Sequence, residues 1–148
     1  MTTIRSVWLA GLAAALLLVG LARADDSIHQ AANRGDVAQV RELLKRGVDP
    51  DARDSYGGTA LHAAMFQDKV EVVELLIAHG FDVNAIGPRN GYTPLHDAVW
   101  ADNVPAARLL LKHGARTDIK GRDGLTPHEK ALREGKAKIA ELLRSPPR

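Results

Sequence analysis

The side chains best suited to chemistry in this sequence are its six histidines, because imidazole can ligate a metal ion or exchange a proton near neutral pH. They occupy three slots of a repeating pattern: His29, His62 and His96 the first, His79 and His113 the second, and His128 a slot that holds leucine in other copies. Residues that recur with the period of the chain are predicted to serve the scaffold. A metal site built on His62 and His96 is the alternative.

The sequence contains no motif that assembles a familiar active site. It lacks a His-Glu-x-x-His zinc pair, a Gly-x-Ser-x-Gly nucleophile turn and a Gly-x-x-x-x-Gly-Lys phosphate loop. It has no cysteine, which excludes disulfides, thiolate nucleophiles and zinc–thiolate sites. Neighbouring acids such as Glu71 and Glu74 lie three residues apart on a segment whose other face is apolar, and we expect them to be solvated. We therefore expect no enzyme, no metal and no cofactor.

A repeat of 33 or 34 residues must position these side chains. Thr93-Pro94-Leu95-His96 is its fullest copy, and it is preceded by Thr59-Ala60-Leu61-His62 and followed by Thr126-Pro127. A unit of this length cannot bury its own apolar face, so its copies must stack and share a continuous core. The predicted units are approximately residues 25–53, 54–87, 88–120 and 121–144, and residues 145–148 form a tail.

Each unit reads as two helices and a loop. Thr-Pro starts a short first helix, because threonine can cap free amide groups and proline is tolerated in the first turn. A second helix follows a polar break, and its apolar residues, as at 70–77, have the three- and four-residue spacing of one buried stripe. Gly47, Gly80 and Gly114 are predicted to end the second helices.

Three segments resemble the ankyrin repeat: Gly-Thr-Ala-Leu-His-Ala-Ala at 58–64, Gly-Phe-Asp-Val-Asn-Ala at 80–85 and Tyr-Thr-Pro-Leu-His-Asp-Ala at 92–98. The resemblance extends over residues 25–144. It implies an all-α fold class, an ankyrin-repeat solenoid of about four helix-turn-helix repeats with projecting hairpin loops. It also implies that the histidine of Thr-Pro-Leu-His hydrogen-bonds backbone atoms within and between repeats.

The N-terminal segment has the pattern of a secretory signal peptide, residues 1–24. One basic residue, Arg5, precedes an apolar run from Val7 to Leu21, and Ala22-Arg23-Ala24 has small residues at the positions of a cleavage site. The run is shorter than the roughly 20 residues that span a bilayer. We expect cleavage after Ala24 and a periplasmic or secreted protein, with a retained membrane anchor as the alternative.

The balance of basic and acidic residues argues against a basic surface that binds nucleic acid. The chain has 20 basic and 18 acidic residues, and two of the basic residues, Arg5 and Arg23, precede the expected cleavage point. The remaining chain is therefore formally neutral, and the argument from basic charge to nucleic acid or an anionic membrane fails. We expect a monomer whose partner is another protein, with no nucleic acid and, after signal cleavage, no membrane.

The resemblance places partner contacts at the hairpin tips and on the exposed part of the first helices. Those slots hold Ser55, Tyr56, Phe66, Gln67, Arg89, Asn90, Tyr92, Trp100, Arg122, Asp123 and Arg133. Tyrosine, tryptophan and arginine most often dominate binding energy. We therefore predict that Tyr56, Tyr92 and Trp100 anchor a partner and that the charged and amide residues set specificity. The alternative for Phe66 and Trp100 is packing against neighbouring helices.

The second hairpin carries one extra residue, and Gly87-Pro88-Arg89-Asn90 forms its inserted tip. Insertions in repeat proteins map to loops, often on the binding face, so this tip is a further candidate contact; a tolerated surface insertion is the alternative. The expected function is a non-catalytic protein–protein interaction module. Its alternatives are an inhibitor or immunity protein against a periplasmic hydrolase or toxin, and an accessory factor in peroxide defence.

Overall fold

The computed structural model describes residues 24–145, and the expected all-α fold is confirmed there. The described part contains eight α-helices and no strand. The helices are α1 (Ala24–Arg34), α2 (Val37–Lys45), α3 (Ala60–Ala63, continued by a 3₁₀ turn at Ala64–Phe66), α4 (Val70–Ala78), α5 (Pro94–Trp100), α6 (Val104–Lys112), α7 (Pro127–Arg133) and α8 (Ala137–Arg144). They form four consecutive pairs, one in each predicted unit.

The first helices of the second, third and fourth units begin after threonines, as predicted. The backbone N–H groups of Thr59 and Thr93 each donate to the Nδ1 atom of the histidine three residues later, at 3.2 Å. The fourth unit has Glu129 in the histidine slot, and its Oε2 atom accepts from the Thr126 N–H at 2.8 Å. A carboxylate thus replaces the imidazole, so the last unit keeps a capped helix although it departs from the sequence pattern.

Glycines end the second helices, also as predicted. Gly47, Gly80 and Gly114 follow the last helical turns with φ angles of +77°, +89° and +83°. This left-handed conformation is strained for residues with a Cβ atom. The chain therefore ends these three second helices in the same way, at a glycine in the left-handed conformation.

The first helix of the second unit ends differently from the others. Gly35 and Gly135 adopt positive φ at this break, and Asp102 does so with φ +53°. The second unit instead closes with the 3₁₀ turn and an extended Gln67, whose side-chain Nε2 donates to the Ala64 carbonyl at 2.8 Å and whose Oε1 accepts from the Lys69 N–H. Gln67, a predicted partner contact, therefore uses its amide to cap this turn.

One apolar core runs through all four helix pairs. Its members include residues of equivalent slots that are fully buried, such as Leu61 and Leu95 in first helices and Leu76 and Leu110 in second helices. Phe81 is buried in the same core. First helices pack on first helices, and second helices pack on second helices. The first helices and the loops beside them therefore lie on the same side of the stack.

The predicted signal peptide, apart from Ala24, lies outside the described residues, as do residues 146–148 of the predicted tail. Among residues 24–145, no helix has the length and apolar character needed to cross a lipid bilayer.

Candidate protein-binding surface

An open groove of about 840 Å³ lies between the loop tips and the first helices. Most of the groove belongs to the second and third units. Its lining includes Ser55, Tyr56, Arg89 and Asn90 from the loops, and Phe66, Asp97 and Trp100 from the first helices and the turn after α3. The inserted tip of the second hairpin therefore contributes directly to this groove.

The groove displays aromatic side chains to solvent. Tyr56, Trp100 and Phe66 are 70%, 61% and 44% exposed. The Phe66 and Trp100 rings pack edge to face, with centroids 5.6 Å apart, and the Arg89 guanidinium lies 5.7 Å from the centre of the Tyr56 ring. Phe66 and Trp100 thus contact each other, as expected if they pack against neighbouring helices. Both rings nevertheless remain partly exposed to solvent. Exposed apolar surface rimmed by polar groups is typical of a protein-binding site.

The histidines of the Thr-x-Leu-His slot connect neighbouring units. His62 Nε2 lies 3.2 Å from the Tyr92 carbonyl, and His96 Nε2 lies 3.2 Å from the Leu125 carbonyl. Because each Nδ1 accepts from a threonine N–H, the proton of the neutral ring resides on Nε2 and is donated to the carbonyl. Burial lowers the pKa of both histidines, which favours this neutral form.

These hydrogen bonds occupy both ring nitrogens of His62 and His96. A metal ion would need one of these nitrogens as a free lone pair, so binding it would break a cap or an inter-repeat bond. Within residues 24–145, no three His, Asp or Glu side chains lie close enough to hold a metal ion. The geometry favours the scaffold role for this slot.

A polar cluster around Tyr92 joins the third and fourth units. The Tyr92 hydroxyl donates to Asp123 Oδ2 at 2.8 Å and accepts from Lys130 Nζ at 3.0 Å. Its ring stacks on His96 with 5.0 Å between centroids, and Arg133 pairs with Asp123 at 3.1 Å. Both the ring and the hydroxyl of Tyr92 are therefore engaged inside the molecule.

Asp97 lies in the wall of the groove and is 7% exposed. Burial raises the pKa of its carboxyl to about 7, and the positive charge of Lys130 opposes that rise. Lys130 occupies the equivalent slot one unit later, but its ammonium pairs with Glu134 at 2.7 Å. In the described part of the chain, the Asp97 carboxylate makes no hydrogen bond or ion pair, and because no fully buried side-chain oxygen there lacks a partner, its oxygens are accessible from the groove.

The repeat geometry agrees with comparisons to known proteins. Residues 28–121 match the family model for ankyrin repeats, in three copies. The chain belongs to the ankyrin-repeat family. The fourth helix pair lies beyond the matched residues, yet its first helix also begins with a threonine capping box and the pair packs on the third pair.

Several relatives of this ankyrin chain match most of its length. Human cyclin-dependent kinase 4 inhibitor B is 33% identical over 121 residues, which are 82% of this chain and 87% of that protein. Human cyclin-dependent kinase inhibitor 2A is 34% identical over 81% of this chain and 76% of that protein. The match to the 2-5A-dependent ribonuclease of Mus musculus, at 42% identity, covers 39% of this chain and 8% of that protein.

The chain also matches the potassium channel AKT2/3 of Arabidopsis thaliana, over 9% of that protein. The chain thus spans less than a tenth of the ribonuclease and the channel, so these matches concern their repeats alone. Ankyrin repeats mediate binding to other proteins, and residues 28–121 of this chain are repeats of this family.

The ankyrin fold divides the predicted contact residues into two groups. The groove brings together Ser55, Tyr56, Phe66, Arg89, Asn90 and Trp100. The other five lie outside its lining: Gln67, Tyr92, Arg122, Asp123 and Arg133. Of these, Arg122 is exposed beside the groove loop, and its backbone N–H donates to the Asn90 carbonyl at 2.8 Å. A role in partner binding stays a prediction for every member of both groups.

Sequence reasoning missed the opposite charges of Asp97 and Lys130. Both occupy the slot after histidine, which holds Ala63 in the second unit. The sequence did contain a signal for this pair of opposite charges, because equivalent slots of neighbouring ankyrin units lie side by side on the first helices. Burial of the two charges depends on the surrounding packing and was not visible in the sequence.

Tyr92→Phe is expected to lower the free energy of unfolding by about 1–3 kcal/mol, because it leaves the Asp123 and Lys130 side chains without the hydroxyl between them. Tyr56→Phe is the matched control, since Tyr56 is 70% exposed and its hydroxyl makes no hydrogen bond within residues 24–145. Urea unfolding of the three chains measures both effects. Equal stability of wild type and Tyr92→Phe would show that the cluster contributes nothing.

Proposed function

We propose that this ankyrin-repeat protein is exported to the periplasm, where it binds another protein in its groove without catalysing a reaction. The observation that carries the proposal is the exposure of Tyr56, Phe66 and Trp100 together in one groove. Removing large apolar surface from water favours association by roughly 25 cal/mol per Å². These three rings are therefore the surface that gains most from a partner.

The shape of the groove supports a protein as the ligand. The groove is open along the stack and is bordered by the exposed side chains of Arg89, Asn90 and Asn33. An apolar centre with a polar rim is the usual organisation of a protein interface. The Arg89 guanidinium, held over the Tyr56 ring, places a charge beside an aromatic anchor and would set the orientation of the partner.

Export is supported by the sequence of residues 1–24, and the absence of cysteine from the sequence fits a periplasmic protein better than a small eukaryotic secreted domain. A chain stabilised by packing alone needs no disulfide in an oxidising compartment. After removal of the signal peptide the protein would be formally neutral, and we propose that it acts as a monomer with neither nucleic acid nor membrane as its partner.

Inhibition of an enzyme is the second candidate function. It is favoured by the names of the relatives that span most of the chain, which are inhibitors of cyclin-dependent kinases. In this protein the target would be a periplasmic hydrolase or toxin, against which it would give self-protection. The remaining candidate is an accessory role in peroxide defence, in which the protein would also act by binding another protein. Addition of the purified protein to the captured partner distinguishes inhibition from simple binding.

The proposal is tested by affinity capture from periplasmic extract, with the captured proteins identified by mass spectrometry. A Tyr56→Ala, Trp100→Ala double variant should lose the partner, whereas Leu132→Ala should retain it. Leu132 is the matched control because it is 61% exposed, like Trp100, but lies outside the groove. The same spectra report whether the exported chain begins at Asp25. Capture of the same partner by the folded double variant would refute the groove as the binding site.

A further inference from the structure

Asp97 is an acidic residue of the groove whose carboxylate lacks a partner within residues 24–145. The residue is 7% exposed and lines the groove, and its carboxylate makes no hydrogen bond or ion pair among the described residues. No fully buried side-chain oxygen of these residues lacks a partner, so the Asp97 carboxylate oxygens are the part of the residue that the groove leaves accessible. A buried carboxylate is unfavourable unless a donor or a cation satisfies it. The groove is the open side from which such a group could arrive.

The nearby cations of the chain are engaged elsewhere. Lys130 Nζ pairs with Glu134 at 2.7 Å and donates to the Tyr92 hydroxyl at 3.0 Å. Within the groove, Arg34 donates to the Gln39 side chain at 2.9 Å, and Arg89 lies over the Tyr56 ring. None of these four contacts is to Asp97, so residues 24–145 do not complete the site themselves.

The surroundings of Asp97 suit a cation carried on an apolar stem. Trp100 lies three residues later on α5, so the two side chains are neighbours on the same helix face. Phe66 packs edge to face against Trp100 on the groove side. A guanidinium can pair with a carboxylate while its stem or its plane lies on an aromatic ring.

We propose that Asp97 receives an arginine or lysine side chain of the partner, so that the groove selects a protein segment presenting a basic residue beside apolar ones. This inference rests on the proposed function, because it names the chemistry of the partner that the groove binds. The aromatic rings contribute apolar contact area, and the carboxylate determines which partners bind.

Binding of such a segment should depend on pH. Burial raises the pKa of Asp97 to about 7, and a cation binds only the ionised form. The titratable and charged groups that line the groove with Asp97 are His29 and Arg34 from α1, Asp54 and Arg89 from the loops, and His62 from α3. Lys130 on α7 is paired with Glu134, and burial lowers the pKa of His62 and of His96 on α5 itself. The ionised fraction of Asp97 therefore rises about tenfold from pH 6 to pH 8, and affinity should rise with it.

A displayed library of random short peptides tests the inference without a known partner. Selection on the wild-type chain should enrich arginine or lysine flanked by apolar residues, and selection on Asp97→Asn should not. Glu74→Gln is the matched control, because Glu74 is exposed on α4, outside the groove, and its loss changes the net charge equally. This variant should enrich the same peptides as wild type.

Synthetic versions of the enriched peptides make the test quantitative. Replacing their arginine with citrulline, which keeps the shape and removes the charge, should weaken binding to wild type by about 10- to 100-fold. On Asp97→Asn the two peptides should bind equally. The arginine peptide should also bind wild type about tenfold more tightly at pH 8 than at pH 6.

The possible failures are distinguishable. If no peptide is enriched on wild type relative to Trp100→Ala, the groove does not bind peptides, and the proposed function and the inference both fail. If the peptides depend on Trp100 but tolerate citrulline, or if their arginine preference survives in Asp97→Asn, the groove binds proteins and only the inference is overturned.

Discussion

Asp97→Asn should stabilise the protein against unfolding at pH 8 and leave it almost unchanged near pH 4. In the folded chain, burial raises the pKa of Asp97 to about 7 from its ordinary value of 3.8. The folded state therefore binds more protons than the unfolded state between these values, and stability is lost as the pH rises through the folded pKa. Asparagine is neutral throughout and carries no such penalty.

The expected difference between the two chains follows from that shift. Wild type should lose roughly 2–3 kcal/mol relative to Asp97→Asn between pH 5 and pH 8. Urea unfolding of both chains across this range measures the difference, and titration of the histidines cancels because both chains share them. A variant that is less stable than wild type at pH 8 would contradict this account, since it would mean that Asp97 pairs with a cation inside the fold.

Removal of the last unit should cost cooperative folding. A chain that ends at Gly124 lacks α7 and α8, which pack on α5 and α6 and belong to the same core as the buried Leu110. It also lacks the Leu125 carbonyl that His96 bonds. Stability in a stacked array is a sum over units and their interfaces, and four units share three interfaces. Losing one unit and its interface should remove roughly 2–5 kcal/mol of a total of 5–15 kcal/mol.

A chain that ends at Arg144 is the matched control, because it loses the tail but keeps all of α8. It should unfold like wild type in urea and stay monomeric in sedimentation. The chain that ends at Gly124 should instead aggregate or unfold over a broad range of urea concentration. A soluble, cooperative truncation would show that the fourth unit does not act as a cap.

The repeating residues were predictable from the sequence because they perform the same task in each unit. Thr59 and Thr93 cap helices, and Gly80 and Gly114 end them, through interactions within a few residues. The resemblance to the ankyrin repeat also indicated that histidine would bridge units, as His62 and His96 do. Local chemistry repeated in register therefore determines the stack.

The residues that depart from the repeat were harder to interpret. Tyr92 and Trp100 are both aromatic and lie near the same helix, but Tyr92 is engaged by Asp123 and Lys130 while Trp100 is 61% exposed. The difference depends on side chains more than 20 residues away in the chain, brought close by stacking. Aromatic type alone could not separate an internal contact from a free one.

Gln67 shows the same limit in a loop. Its slot predicted a partner contact, yet its amide closes the turn after the 3₁₀ segment in place of a residue with positive φ. The alignment of slots assumes that equivalent positions have equivalent backbones. That assumption holds for the helix caps and fails at this break, where the unit uses a different turn.

Calorimetric titration of the captured partner into wild type, the Tyr56→Ala, Trp100→Ala double variant and Leu132→Ala tests the groove most directly. Loss of central aromatic anchors typically costs about 2–4 kcal/mol, so affinity of the double variant should fall by roughly 30- to 1000-fold. Leu132→Ala should bind like wild type. Wild-type affinity in the folded double variant, or an equal loss in Leu132→Ala, would contradict the assignment of the groove as the binding surface.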